Sequence, residues 1–179
     1  MRDLTNNNFG HLIAYVIPGL TALWGASHFS PTLQSWLTTN PSDLPTVGGF
    51  LYLTLGSVTA GMIVSTVRWL IIDGVHHATG LTEPRWDFSQ LARRVDAFES
   101  LIRIHYQFYQ FNANMLVAIV FAYAVRKSTS PVEIAMIGWE DAAWLLAAVI
   151  FFAGSRDTLK RYYLRVDGLL GRVPDVNQR

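Results

Sequence analysis

The 179-residue chain contains no cysteine. That excludes disulfides, thiolate metal sites and a cysteine nucleophile, and it leaves the redox compartment undetermined. Charge is also scarce. Asp, Glu, Lys and Arg make up 15% of the chain, against about 25% in ordinary soluble domains. The formal net charge is +1, so no basic excess points to nucleic acid. P-loop, GxGxxG, GxSxG, HExxH and EF-hand patterns are all missing, as are internal repeats and low-complexity tracts. The usual sequence marks of phosphate binding, dinucleotide binding, hydrolase nucleophiles and calcium loops are therefore absent.

The most informative absence is local. Between Pro84 and Pro131 there is neither glycine nor proline, although the chain as a whole has 13 and 7 of them. A stretch without breakers favours one long helix, or two joined by a soft bend. It begins charged and amphipathic, passes through a polar-aromatic middle and ends as an apolar run stopped by Arg126 and Lys127.

Four apolar segments are present, over residues 9–29, 49–72, 104–126 and 134–155. The first has no Asp, Glu, Lys or Arg. At about 20 residues it is long enough for a bilayer core of roughly 30 Å. Pro18–Gly19 should kink it, which a membrane helix tolerates where neighbours satisfy the freed carbonyl. The competing role is a signal peptide cut near Gly25, Ala26 and Ser27. A leader charged only by Arg2, cancelled by Asp3 and broken by Pro18, argues for a retained span. Pro31, Pro41, Pro45 and Gly48–Gly49 mark the next stretch as a loop. Leu33, Trp36 and Leu37 suit part of it to the membrane surface.

In the second segment Gly56–Ala60 and Ser57–Gly61 place small residues four apart, a spacing that brings two membrane helices close, within one chain or between subunits. Arg68 and Trp69 are expected to snorkel and to anchor at its polar end. Residues 73–86 read as a polar turn. Asp87 is then a helix cap with Gln90 three residues on, and Trp86 is placed to staple onto Leu91. A cytosolic helix over 87–103 follows, with Phe88, Leu91, Val95, Phe98 and Ile102 as one apolar stripe and Glu99–Arg103 as a favourable i,i+4 pair. Ser130, Pro131 and Glu133 form a second capping box. The fourth apolar run, 142–154, is short. It must extend back across Glu140 and Asp141 or thin the bilayer. The tail, 156–179, is basic, and Leu159, Tyr162, Tyr163, Val166 and Leu170 make it amphipathic. It is expected to lie on the membrane or against the Phe88 stripe.

Four crossings put both termini on one side. Twelve of the fourteen Lys and Arg residues then fall on that side, and only Arg126 and Lys127 on the other. By the positive-inside rule the termini and the 73–103 connection are cytosolic, in an inner (plasma) membrane. The fold expected is an all-α, integral-membrane four-helix bundle with a cytosolic helical extension and an amphipathic C-terminal tail.

Two constellations carry candidate chemistry. Counting back from Arg126 at 1.5 Å per residue, His105 lies about 31 Å away, near the cytosolic face, and Asn112 about 21 Å away, inside the apolar layer. Helical spacing places His105, Tyr109 and Asn112 on one stripe, and Arg103, Gln107, Gln110 and Asn114 on the next. These groups hydrogen-bond neighbouring helices, line a water-filled path, or form a ligand pocket. The second constellation is Asp73, His76, His77 and His105 at the cytosolic interface, a donor set for zinc or iron, against a solvated turn with unrelated histidines. The function expected is non-enzymatic: an oligomeric pore, a membrane-perturbing effector, or the membrane subunit of a larger complex. Its partners would be the lipid bilayer and either further copies or another membrane or cytosolic protein. A metal-dependent membrane enzyme is the alternative.

Overall fold

A computed structural model describes residues 2–37, 47–129 and 138–171, with side chains from 13 and from 48 onward in the first two stretches. Most of the described residues are helical, and among them there is no strand. The order is α1 (Arg2–Ser27), α2 (Pro31–Leu37), α3 (Val47–Ala78), a 3-10 turn (Phe88–Arg93), α4 (Val95–Leu101), a π-helical turn (Ile102–Tyr106), α5 (Gln107–Thr129) and α6 (Trp139–Leu170). Three stretches are long and apolar enough to cross a membrane: Gly48–Ala78, Val95–Thr129 and Trp139–Leu170. A shorter apolar helix, Ile13–Ser27, lies within α1. Side chains that the apolar faces turn outward include Phe50, Leu55, Met62 and Leu70 on α3 and Leu145 and Ile150 on α6, each more than half exposed. A lipid-facing surface requires such residues, whereas water tolerates few of them contiguously.

α1 packs along both α3 and α5, and α5 along α6. The α1–α3 crossing is made by small residues. A Cβ added to Gly19 would sit 1.8 Å from the Ser57 carbonyl oxygen, and one on Gly61 would sit 2.1 Å from that of Tyr15. Ser57 and Gly61 of the small-residue motif thus meet α1 of the same chain, and Gly56 faces Leu23. Ala60 is half-buried. α1 meets α5 in the same way, with Gly25 against Ala122.

Pro18 stands inside α1. Having no N–H, it cannot donate to the carbonyl four residues back. That carbonyl belongs to Ala14, and the Asn114 side-chain amide donates to it at 2.9 Å. Both Pro18 and Asn114 are fully buried. A polar side chain from α5 therefore repairs the hydrogen bond that proline removes from α1.

The stretch from Val95 to Thr129 runs without a break apart from the π turn, as the lack of glycine and proline leads one to expect. Upstream, Asp87 caps the 3-10 turn, its carboxylate accepting from the Ser89 amide at 3.0 Å. Bonds from the Ser89 hydroxyl and amide hold the Asp87 carboxyl below its usual range. The cap is consequently kept above the ordinary carboxylate pKa and lost as pH falls through the lowered one. Trp86 is buried and meets the rings of Phe88, Tyr162 and Tyr163 edge-on.

Several expectations need correction. The polar turn does not begin at Asp73, because α3 continues through His77 to Ala78. The added turns are held by tertiary contacts of His76, which is fully buried. Arg68 does not snorkel. It is 4% exposed and turned into the bundle, while its neighbour Trp69 faces outward. Within the predicted 30–49 loop, residues 31–37 form a short helix with Pro31 at its first position. The tail does not start afresh at residue 156, since α6 is one 32-residue helix spanning both the apolar run and the tail. Its buried Leu159, Tyr162, Val166 and Leu170 share a core with Leu91, Phe98 and Ile102 of the predicted 87–103 stripe, whereas Phe88 and Val95 stay exposed.

Glu140 and Asp141 occupy the first turn of α6, where the helix dipole favours acids. They pair with the cations that end α5: Arg126 with Glu140 at 2.5 Å and Lys127 with Asp141 at 2.9 Å. The short apolar run of α6 thus begins at a neutralised double ion pair. The capping box at Ser130, Pro131 and Glu133 lies outside the described residues.

Candidate functional site at the bundle–extension junction

The π turn is where the extension meets the long apolar helices. It contains Ile102, Arg103, Ile104, His105 and Tyr106, and the Gln107 amide bonds back five residues to the Ile102 carbonyl. One extra residue rotates the downstream helix by about 100° relative to an unbroken α-helix. Its upstream face, Phe98, Leu101 and Ile102, packs with the end of α6. The downstream face must meet α1, α3 and α6 together. The extra residue reconciles the two demands.

The stripes drawn at constant helical pitch therefore hold only from Gln107 onward. Downstream they divide cleanly. The Gln110 amide lies 3.5 Å from the Tyr15 hydroxyl and Asn114 bonds Ala14, so this stripe faces α1. Asn112 packs against Gly154 of α6, whose absent Cβ would come within 3.2 Å of it. Tyr109 faces α3. Gln107 and His105 are buried, and Arg103 is half-buried.

Around Tyr109 the structure gathers a polar network. Its hydroxyl donates to Asp73 Oδ1. Arg68 Nη1 donates to the same oxygen at 3.3 Å, and its guanidinium carbon lies 5.2 Å from the Tyr109 ring centroid. The cation, itself buried, thus has a partly exposed carboxylate and a ring face as partners. One turn on, His76 Nε2 meets Ser155 Oγ at 3.1 Å, and its ring stacks on Phe152 at 5.4 Å. Ser155 in turn donates to the Phe152 carbonyl at 2.8 Å. Replacing Tyr109 by phenylalanine should cost about 1 kcal/mol, the loss of one hydrogen bond to a half-exposed carboxylate. Thermal unfolding in detergent would measure it, and an unchanged midpoint would remove the phenol from the network.

Beside the network lies a cavity of about 480 Å³, walled by Trp69, Asp73, His76, Glu83 and the rings of Tyr106, Tyr162 and Tyr163 among others. Tyr106 and Tyr162 lie 5.3 Å apart between ring centroids. Asp73 and His76 share one face of α3, as a continuing helix demands. The donor set of Asp73, His76, His77 and His105 is nevertheless not assembled. Among the described residues no group of three or more His, Asp or Glu is placed to hold a metal ion. Asp73 is bound to Arg68 and Tyr109, His76 to Ser155, and His77 is exposed.

Arg68, Tyr106, Ser155 and Tyr162 were not legible as site residues. Arg68 and Asp73, opposite charges five apart near a helix end, carried the one available signal.

No protein-family model, curated protein or solved structure matches this chain.

Proposed function

We propose that the protein is a four-pass inner-membrane protein with both termini cytosolic, acting without catalysis as a membrane effector or as the membrane subunit of a larger assembly. One observation carries this most directly: α5, through the π turn, and α6, as a single helix of about 48 Å at 1.5 Å per residue, both run from the apolar region into the extension. An event at the cytosolic face then moves the membrane helices with it. The contacts of Gln110 and Asn114 support this form over a lumen lined by α5, because those amides already face α1 within one chain.

The orientation has a clean test, since the chain is naturally free of cysteine. Thr82→Cys and Ser128→Cys are both at exposed positions. In intact cells a membrane-impermeant maleimide should label Ser128→Cys, and Thr82→Cys only after permeabilisation. Labelling of both from the same side would reject the topology. For assembly, the protein mass in detergent should be two or more times 20.1 kDa or include a co-purifying partner. A lone monomer that also leaves dye-loaded liposomes sealed would overturn the proposal.

A further inference from the structure

The geometry points to the junction cavity as a binding site for a primary ammonium group. Its size, about 480 Å³, is that of a small-ligand pocket. Asp73 and Glu83 are the carboxylates on its wall, and no Lys or Arg lines it. Asp73 is already paired with Arg68 and Tyr109, which leaves Glu83 as the wall carboxylate with no ion pair among the described residues. Arg68 is held by Asp73 and covers the ring of Tyr109, and Arg156 donates to the Thr79 hydroxyl and carbonyl at 2.5 and 3.0 Å. Tyr106, Tyr162 and Tyr163 line it, and aromatic rings attract a cation through their quadrupoles. An anion would meet two carboxylates here and no Lys or Arg on the wall.

His76 narrows the class further. Its partner Ser155 already donates its hydroxyl hydrogen to the Phe152 carbonyl. In the neutral ring Nε2 therefore carries the proton and donates to Ser155, which leaves Nδ1 as a bare acceptor. His76 is fully buried, and Nδ1 has no partner among the described residues. His76 is among the residues that line the cavity, and a buried acceptor without a partner there, beside carboxylates and rings, calls for a positively charged ligand that has N–H groups to donate. A primary ammonium meets all three demands, and a quaternary one lacks the donor. The same chemistry is available from an ethanolamine lipid headgroup at the membrane surface or from a soluble amine. The site does not depend on assembly, so its failure and the failure of the proposed function are separable.

The test uses the full-length protein, purified in detergent and stripped of lipid, titrated with ethanolamine and with choline while tyrosine and tryptophan fluorescence is followed. Saturable ethanolamine binding is expected, at least tenfold tighter than choline. Glu83→Gln, at an exposed position, should weaken it at least fivefold while circular dichroism and the melting midpoint stay unchanged. In a second arm, native mass spectrometry from nanodiscs of equal ethanolamine and choline phospholipids assigns the source. Selective retention of the ethanolamine lipid assigns the headgroup, and binding of free ethanolamine without retention assigns a soluble amine. Choline binding as tightly as ethanolamine, Glu83→Gln leaving the affinity unchanged, or no saturable binding in either arm would overturn the assignment.

Discussion

Replacing Gly61 by alanine is expected to destabilise the protein by about 3 kcal/mol or more, at or beyond the upper end of overpacking effects. The new Cβ would stand 2.1 Å from the Tyr15 carbonyl oxygen. That atom is helix backbone and cannot swing away as a side-chain tip would, so α1 and α3 must separate. Gly19→Ala meets the same obstacle from the other side, 1.8 Å from the Ser57 oxygen. The two substitutions should not add, because either one already opens the same crossing. Gly168→Ala is the control. Nothing lies within 4 Å of the Cβ it would add, so relief of glycine's backbone entropy should stabilise α6 by about 0.5–1 kcal/mol. Thermal scans in detergent give all three values. Equal midpoints for Gly61→Ala and Gly168→Ala would mean that the crossing does not depend on backbone proximity.

The second large effect concerns Asn114. Changing it to leucine leaves the Ala14 carbonyl buried with no donor, at a cost of about 1–3 kcal/mol. The loss should shrink in a Pro18→Ala background, because an alanine at that position restores the N–H that bonds four residues back. A double-mutant cycle is expected to return a coupling of about 1–2 kcal/mol. The cycle also separates two roles for α5. If Asn114 lined an aqueous path, leucine would change liposome permeability, leave stability alone and show no coupling to Pro18. By contrast, opening the Arg126–Glu140 pair by alanine substitution should cost no more than about 1 kcal/mol, because this pair is solvent-accessible.

Much of this architecture was legible in the chain because it rests on one-dimensional signals. The lack of glycine and proline between Pro84 and Pro131 is a statement about backbone freedom, and a near-continuous helix followed. Apolar length marked three of the candidate membrane helices, and the small residues at Ser57 and Gly61 marked a close crossing without naming its partner. Even the repair of Pro18 was implied in principle, since a kinked membrane helix needs a donor from a neighbour.

Which donor repairs it was a tertiary matter. Asn114 stands 100 positions from Ala14, and no local pattern relates the two. The π turn was equally hidden, for it satisfies two packing surfaces whose phase difference exists only once α6 has folded back along both. Asp73 and the histidines show the same division. Their residue types are those of a metal site, yet Arg68 and Tyr109 claim the carboxylate and Ser155 claims His76. Composition and periodicity determined which segments are helical and which are apolar, because those depend on each residue's own preference for water and for backbone angles. Tertiary packing decided which polar groups meet, and it turned a presumed polar turn into a buried network beside a cavity, because a desolvated donor or acceptor takes whichever partner the fold brings within reach.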